Sequence, residues 1–205
     1  MAMSLDDWLT AARADSDELR ERILTGYKTG KPFTPYVPTI AIPSPIASAL
    51  DFGCGLGRNF PYLTSVAERV DAFDLPAMIE RCRETLPDTS VSLSDDWSEV
   101  KQRRYDLVFA SLVLQHIETT ACVEFLADFS RISPFTYLLT RGSSDFDVSI
   151  LDLIADANLF EVEACALVEH DSATHRLRQI ALISFAAART ADSEAHYDLL
   201  LRSRA

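Results

Sequence analysis

A glycine-rich turn at residues 51–59 constrains this chain more than any other part of its sequence. The run Asp51-Phe52-Gly53-Cys54-Gly55-Leu56-Gly57-Arg58-Asn59 follows an apolar segment and has glycine at every second position. A pattern with helical spacing begins directly after Asn59. Glycine tolerates positive φ and lets a ligand approach the backbone, while a helix N-terminus offers free N–H groups to negative ligand groups. The stretch therefore predicts a strand, a tight turn and a helix that bind a ligand together.

The spacing of these glycines decides between classes of ligand. The dinucleotide pattern G-x-G-x-x-G would need glycine at Arg58 or at Phe60, and a phosphate-binding P-loop would need a following Gly-Lys-Ser/Thr. A nicotinamide oxidoreductase is therefore disfavoured. The pattern Asp-x-Gly-x-Gly-x-Gly at a strand end instead resembles motif I of the class I S-adenosylmethionine-dependent methyltransferases. The resemblance implies S-adenosyl-L-methionine as cofactor, bound at Asp51, Gly53, Cys54, Gly55, Gly57 and Asn59.

Strand and helix patterns alternate from residue 46 onward, which predicts a mostly parallel sheet covered on both faces. Two apolar segments, Phe160–Val168 and Leu177–Phe185, have only a polar turn between them, so they predict an antiparallel hairpin. The expected fold is an α/β class protein, a three-layer α/β/α Rossmann-like sandwich with a seven-stranded sheet that ends in this hairpin. The resemblance covers about residues 46–186. The charged tail after Ala188 is predicted to form a helix.

The length of 205 residues suits a single domain, residues 1–205, with a substantial core. Within it we expect an N-terminal helical arm and a proline-rich segment over 1–45, the core over 46–186 and a tail over 187–205. The five prolines between residues 28 and 45 favour extended or turn conformations. The arm is predicted either to cover the cofactor cleft as a lid or to pack on the outer layer of the sheet. As a lid, it would line the acceptor pocket with Tyr27, Phe33 or Tyr36.

Ligands of open α/β sheets bind at the carboxyl ends of the strands, and several polar residues stand at such ends. Asp74 closes the second strand at a separation from the glycines that suits ribose recognition, and the resemblance implies the same role. Leu75, beside it, is included in the predicted cofactor site. The alternative is that Asp74 caps the helix that begins at Pro76.

The residues after the third strand are predicted to recognise adenine. The resemblance implies an acidic residue here, Asp95 or Asp96, that accepts the adenine amino group, and Trp97 is a candidate to stack on the ring. The alternative is that Asp95 caps a short helix and that Trp97 packs against the sheet. The choice between the two aspartates stays open.

The residues after the fourth strand are candidates for the reacting part of the site. Ser111 and Leu112 are predicted to contact the cofactor, and His116 stands where the resembling family often has a histidine. His116 is a candidate general base if the acceptor arrives protonated, and otherwise it fixes the geometry of the loop. The family's Asn-Pro-Pro-Tyr signature for an amino group of DNA or of a protein glutamine is absent after this strand. Leu112-Val113-Leu114 in that place looks more like the small-molecule branch of the family, so the resemblance implies a small-molecule acceptor.

Composition limits the partners and the compartment that we expect. The formal net charge of −12 and the sequence pI of about 4.7 disfavour nucleic acid and membrane surfaces as partners. Four widely spaced cysteines without a C-x-x-C pair predict reduced thiols, a cytoplasmic location and no metal site. A different functional class stays open, namely a non-catalytic cofactor-binding or regulatory protein with the same fold. The acceptor atom and the oligomeric state are not predicted.

Overall fold

The computed structural model describes residue 10 and the ranges 34–87, 89–146, 148–171, 176–191 and 194–204. Within these ranges, one sheet contains eight strands in the order β3-β2-β1-β4-β5-β8-β6-β7. The strands are β1 (Ile46–Phe52), β2 (Ala67–Phe73), β3 (Ser92–Ser94), β4 (Leu107–Ser111), β5 (Phe135–Arg141), β6 (Phe160–Asp171), β7 (Arg176–Leu182) and β8 (His196–Ser203). The helices are α1 (Phe60–Val66), α2 (Pro76–Thr85), α3 (Trp97–Val100), α4 (Thr119–Ile132), α5 (Ile150–Ala157) and α6 (Phe185–Arg189).

The first five strands form the parallel half of the sheet, as the sequence predicts. β1 lies between β2 and β4, β3 pairs with β2, and β5 pairs with β4, all in parallel. Four consecutive residues of β4, Leu107–Ala110, are buried, as expected for a strand covered on both faces. All five carboxyl ends therefore meet at one edge of the sheet, where the candidate site residues lie.

The chain's last strand, β8, corrects the predicted helical tail. β8 inserts between β5 and β6 and is antiparallel to both, so the sheet has eight strands instead of the expected seven. Its side chains alternate between the two faces: Tyr197 and Leu199 pack in one core cluster and Leu200 in the other. A period of two is the signature of a strand. The hairpin formed by β6 and β7 is confirmed.

Helices cover both faces of the sheet and complete the three expected layers. One face packs against α1, α2 and the segment of residues 34–45, with Leu63 and Ile79 fully buried there. The other face packs against α3, α4, α5 and α6, with Leu126 and Phe129 at its centre. No helix in the described ranges is long and apolar enough to cross a membrane.

The segment of residues 34–45 runs along the α1 face before it enters β1. Near its start, the Tyr36 N–H donates to the Asn59 side chain, at 3.0 Å. Further on, the backbone N–H and the hydroxyl of Thr39 donate to Asp198 of β8, at 2.7 and 2.6 Å. The Tyr137 hydroxyl donates to the same carboxylate at 2.5 Å. Burial raises the pKa of Asp198, whereas its bonds to Thr39 and Tyr137 oppose the rise.

Candidate functional site

The glycine turn is held against the end of β2 by backbone hydrogen bonds. The N–H groups of Gly53 and Cys54 donate to the carbonyl of Phe73, at 2.8 and 3.2 Å. Gly53, Gly55 and Gly57 all have positive φ, between 55° and 78°. The turn therefore has the left-handed backbone that its glycines predict, and it leads directly into α1.

The residue after β1 also shows why glycine is needed here. A Cβ atom at Gly53 would lie 2.4 Å from Cγ2 and 2.7 Å from Cβ of Val113, which follows β4. Val113 thus packs directly against the turn. Since β1 and β4 are neighbours, this contact fixes the distance between the glycine turn and the loop after β4.

We expect Gly53→Ala to lower the free energy of unfolding by about 2–4 kcal/mol, because a left-handed alanine and an overpacked contact each destabilise the fold. Chemical denaturation measures this change. The variant Val113→Ala removes two of the three atoms that the new Cβ would contact. Gly53→Ala should therefore destabilise the Val113→Ala protein less than it destabilises the wild type. An unchanged midpoint for Gly53→Ala would show that the turn relaxes away from Val113.

The carboxylate of Asp74 connects the turn to the end of β2. One of its oxygens accepts from the Gly55 N–H at 2.6 Å, and the other accepts from the Leu75 N–H at 2.7 Å. Burial raises the pKa of Asp74 to about 6, and these two hydrogen bonds oppose the rise. The predicted alternative of a helix cap is wrong, because α2 has Leu75 at its N-cap position and no side-chain cap.

The carboxylate of Asp51 is completely buried at the end of β1, with 0% exposure. Neither of its oxygens has a hydrogen-bond partner among the residues that the structure describes. Burial raises the pKa of Asp51 to about 8, and the charge of Asp74 adds to the rise. The Asn59 side chain comes near enough to lower this pKa but does not complete a hydrogen bond. An unsatisfied buried carboxylate is costly, so the site contains an acceptor that the free protein does not use.

The start of α1 is anchored by the segment of residues 34–45. Asn59 is buried and accepts from the Tyr36 N–H. The Arg58 guanidinium lies over the Tyr36 ring, 4.4 Å from its centroid. Tyr36 is itself 3% exposed. The structure thus places Tyr36 beside the glycine turn, whereas Tyr27 and Phe33 lie outside the described residues.

The three residues after β3 have different contacts. Asp96 is the N-cap of α3 and accepts from the Ser98 N–H at 2.9 Å, so the predicted cap at Asp95 is wrong. Asp95 is exposed and makes no side-chain hydrogen bond within the described ranges. The Trp97 ring packs against Phe52, at 5.3 Å between ring centroids. Its indole N–H donates to Asp128 at 2.8 Å. Trp97 is therefore fixed in the core, and only its partly exposed side remains for a ligand.

The end of β4 has an unusual backbone. Leu112 has φ of +55°, which is uncommon for a residue with a branched side chain. Its N–H donates to the Leu139 carbonyl at 2.7 Å, so the conformation is held by the neighbouring strand. The hydroxyl of Ser111 is buried and has no hydrogen-bond partner within the described ranges. Strained backbone and an unused hydroxyl occur together at the predicted site edge.

His116 lies in a short 3₁₀ turn after β4 and belongs to a chain of three side chains. Its Nδ1 atom is 2.6 Å from Oδ2 of Asp145, and the Arg141 guanidinium donates to Oδ1 of the same carboxylate. Burial lowers the pKa of His116, whereas Asp145 opposes this change. The sequence analysis missed Asp145 and Arg141. Both stand at or after the end of β5, where the strand-end rule that selected Asp74 would also have found them.

Within the described ranges, no cluster of three or more histidine, cysteine, aspartate or glutamate side chains is arranged to hold a metal ion. Cys54, Cys82, Cys122 and Cys165 are free, buried thiols. The Cys82 thiol and burial raise the pKa of Cys54. The chemistry available at this edge is therefore that of a buried and a partly buried carboxylate, a glycine turn and an imidazole.

Comparison with known proteins identifies a related domain that contains the glycine turn. A family described as a methyltransferase domain matches residues 50–133, from β1 to the end of α4. No curated protein matches the chain by sequence.

Several solved structures share the fold at low sequence identity. N-methyltransferase NodS from Bradyrhizobium japonicum WM9, in complex with S-adenosyl-L-homocysteine, has a TM-score of 0.61 and 14% identity, over 98% of each chain. TehB from Haemophilus influenzae has a TM-score of 0.53 and 16% identity, over 78% of this chain and 58% of that chain. A TehB-like methyltransferase from Corynebacterium glutamicum ATCC 13032 Kitasato has a TM-score of 0.53 and 18% identity, over 77% and 80%.

These likenesses show the fold, and the matched domain covers the part of it that contains the glycine turn, Asp74 and the β4 end. The sheet also contains the antiparallel hairpin that the sequence predicts, formed by β6 and β7. Residues 50–133 match the methyltransferase domain family, and the chain has the fold of the class I S-adenosylmethionine-dependent methyltransferases.

Proposed function

We propose that this chain transfers a methyl group from S-adenosyl-L-methionine to a small-molecule acceptor at the carboxyl edge of its sheet. The observation that carries the proposal is the pair of carboxylates on either side of the glycine turn, the buried Asp51 and the partly buried Asp74. Asp51 has no hydrogen-bond partner among the described residues, and Asp74 accepts only from backbone N–H groups there. Two such carboxylates suit a ligand that carries positive charge and hydroxyl groups.

The residues present fit this cofactor. When bound, S-adenosyl-L-methionine supplies a methyl group activated by a positively charged sulfur. In the proposed arrangement, Asp74 accepts hydrogen bonds from the ribose hydroxyls with the lone pairs that Gly55 and Leu75 leave unused. Asp51 faces the positively charged part of the ligand. The glycine turn, through Gly53, Gly55 and Gly57, lets the ligand approach the backbone.

For adenine, the geometry favours Asp95 over Asp96. Asp96 already accepts from the backbone of α3, whereas Asp95 is exposed directly after β3. We therefore assign the adenine amino group to Asp95. Leu75, which is partly buried after Asp74, and the exposed side of Trp97 are the apolar groups nearest to this position in the sequence.

The acceptor is proposed to be a small molecule because of the residues after β4. The segment Ser111-Leu112-Val113-Leu114 has no asparagine–proline sequence for an amino group of DNA or of a protein glutamine. The net charge of −12 also disfavours a nucleic acid acceptor. NodS, which shares the fold, is an N-methyltransferase, and a further neighbour is a mitomycin 7-O-methyltransferase. We propose His116 as the group closest to the acceptor.

Calorimetry with three ligands tests the cofactor assignment. We expect S-adenosyl-L-methionine and S-adenosyl-L-homocysteine to bind and NAD not to bind, because the turn lacks the G-x-G-x-x-G spacing. Binding of NAD without binding of S-adenosyl-L-methionine would refute the proposal. If the cofactor binds, its turnover with a panel of small hydroxyl and amine compounds distinguishes an enzyme from a non-catalytic binding protein.

A further inference from the structure

We infer that Asp145 and Arg141 are positioning residues that hold His116 in the tautomer with its proton on Nδ1 and its lone pair on Nε2. This inference rests on the proposed function, since it describes how His116 is prepared to accept a proton from the methyl acceptor. It adds two residues to the site and assigns each a separate role. It also favours acceptors that carry a proton on the atom to be methylated, because these require a base.

The geometry around Nδ1 determines the tautomer. A carboxylate only accepts hydrogen bonds, so the 2.6 Å contact between Nδ1 and Asp145 requires the proton on Nδ1. The lone pair then lies on Nε2. The amide nitrogen of Gln115 stands 3.4 Å from Nε2, and an amide N–H toward that atom agrees with the same assignment. The His116 side chain is 26% exposed and that of Asp145 is 8% exposed, so solvent competes little for the carboxylate.

Asp145 is itself held from two directions. Its backbone N–H donates to the Gln115 carbonyl at 2.7 Å, which ties the loop after β5 to the loop after β4. The Arg141 guanidinium donates a hydrogen bond to Oδ1 of Asp145, and Nδ1 of His116 donates one to Oδ2. The bonds to His116 and Arg141 lower the pKa of Asp145 despite its burial. The carboxylate therefore stays ionised and keeps its orientation.

The charges around His116 act in opposite directions. Burial lowers its pKa, Asp145 raises it, and Arg141 lowers it. Glu194 lies 3.7 Å from Arg141 on the exposed side and partly offsets the charge of the guanidinium. The result is an imidazole that is neutral at pH 7, as a general base must be.

Arg141 has a second effect that gives a sharp test. In Asp145→Asn the amide has one oxygen and one NH₂ group. Arg141 only donates, so the amide oxygen must face Arg141 and the NH₂ group must face Nδ1 of His116. Nδ1 can then only accept, and the proton moves to Nε2. We expect this variant to reverse the tautomer without changing the size of the side chain.

Nitrogen-15 NMR of the imidazole rings measures the tautomer directly and needs no acceptor. The chain has four histidines, so His116→Gln assigns the signal of His116. At pH 7, we expect a protonated Nδ1 and an unprotonated Nε2 in the wild type, and the reverse in Asp145→Asn. A merely structural Asp145 would not produce this reversal. A wild-type spectrum with the proton on Nε2 would overturn the inference, even if no variant folds.

A pH titration of the same imidazole signals compares Asp145→Asn with Arg141→Gln as a matched control. We expect the midpoint of His116 to be below 6.5 in the wild type, lower still in Asp145→Asn, and higher in Arg141→Gln. Shifts of the same sign in both variants would also overturn the inference. S-adenosyl-L-homocysteine binding is measured on the same samples. If the wild type does not bind S-adenosyl-L-homocysteine, the proposed function is refuted. If it binds this ligand but has the His116 proton on Nε2, only this inference is refuted.

Discussion

Asp74→Ala is expected to weaken the binding of S-adenosyl-L-homocysteine by about 30- to 800-fold, which corresponds to about 2–4 kcal/mol. The variant loses two proposed hydrogen bonds to the ribose, both with a charged acceptor. It also loses the bond from the Gly55 N–H, which holds the glycine turn against the end of β2. Calorimetry at constant pH gives the change in affinity. Thermal unfolding without ligand shows whether the fold persists.

Asp71, three residues earlier in β2, provides a matched control. It is a buried aspartate that accepts from Arg103 at 2.9 Å and from the Tyr105 hydroxyl at 3.0 Å. Asp71→Asn should therefore lower the free energy of unfolding by about 1–3 kcal/mol and leave the affinity for S-adenosyl-L-homocysteine nearly unchanged. Equal losses of affinity in the two variants would mean that Asp74 acts through the stability of β2, not through the ribose.

The parts of the fold that the sequence predicted are those with local signals. The strand predicted before the glycine turn is present as β1, Ile46–Phe52, because the apolar run ends at this turn and its glycines adopt positive φ. The parallel half of the sheet followed from the alternation of apolar runs with helical spacing. In each case the decisive residues are close together in the sequence.

β8 was missed because its identity depends on distant residues. The segment around Asp198 contains a carboxylate next to three leucines, and its charged surroundings suggested an exposed helix. In the structure, Thr39 and Tyr137 satisfy that carboxylate, and β5 and β6 provide the hydrogen bonds on either side. A buried aspartate in a central strand is stable only when such partners arrive from elsewhere in the chain.

In the candidate site, too, the residues with local sequence signals were predicted and those that depend on distant residues were not. The sequence selected Asp51, Asp74 and His116 by their positions at strand ends. It did not distinguish Asp95 from Asp96, because that choice depends on which one caps α3. It also missed Asp145, whose role becomes visible only when the loops after β4 and β5 lie side by side.

Asp51→Asn is expected to have opposite effects on stability and on binding. The free protein buries the Asp51 carboxyl without a hydrogen-bond partner among the described residues, so its replacement by a neutral amide should stabilise the fold. A rise of the pKa from 3.8 to about 8 corresponds to about 4 kcal/mol at pH 7. Since the buried amide also needs partners, we expect a gain of about 2–4 kcal/mol. Chemical denaturation measures it.

The dependence of this gain on pH follows from the direction of the shift. Between pH 4 and pH 8 the folded protein retains a proton on Asp51 that the unfolded chain has lost. Unfolding therefore releases a proton, and the wild type loses stability as the pH rises through this range. Asp51→Asn lacks this contribution, so the difference between the two proteins should grow with pH and become constant above about pH 8. A difference that does not change with pH would contradict the assignment.

Binding should change in the other direction, because the same carboxylate that destabilises the free protein is proposed to face a positively charged ligand. At pH 8, where about half of the wild-type carboxyl groups are ionised before the ligand binds, we expect Asp51→Asn to bind S-adenosyl-L-methionine at least about tenfold more weakly. In the wild type, binding at pH 7 should release a proton, which calorimetry in buffers of different ionisation enthalpy detects. Asp74, whose pKa is about 6, contributes to this release mainly at lower pH. A variant that is more stable and binds with unchanged affinity would show that Asp51 is a buried carboxyl without a ligand.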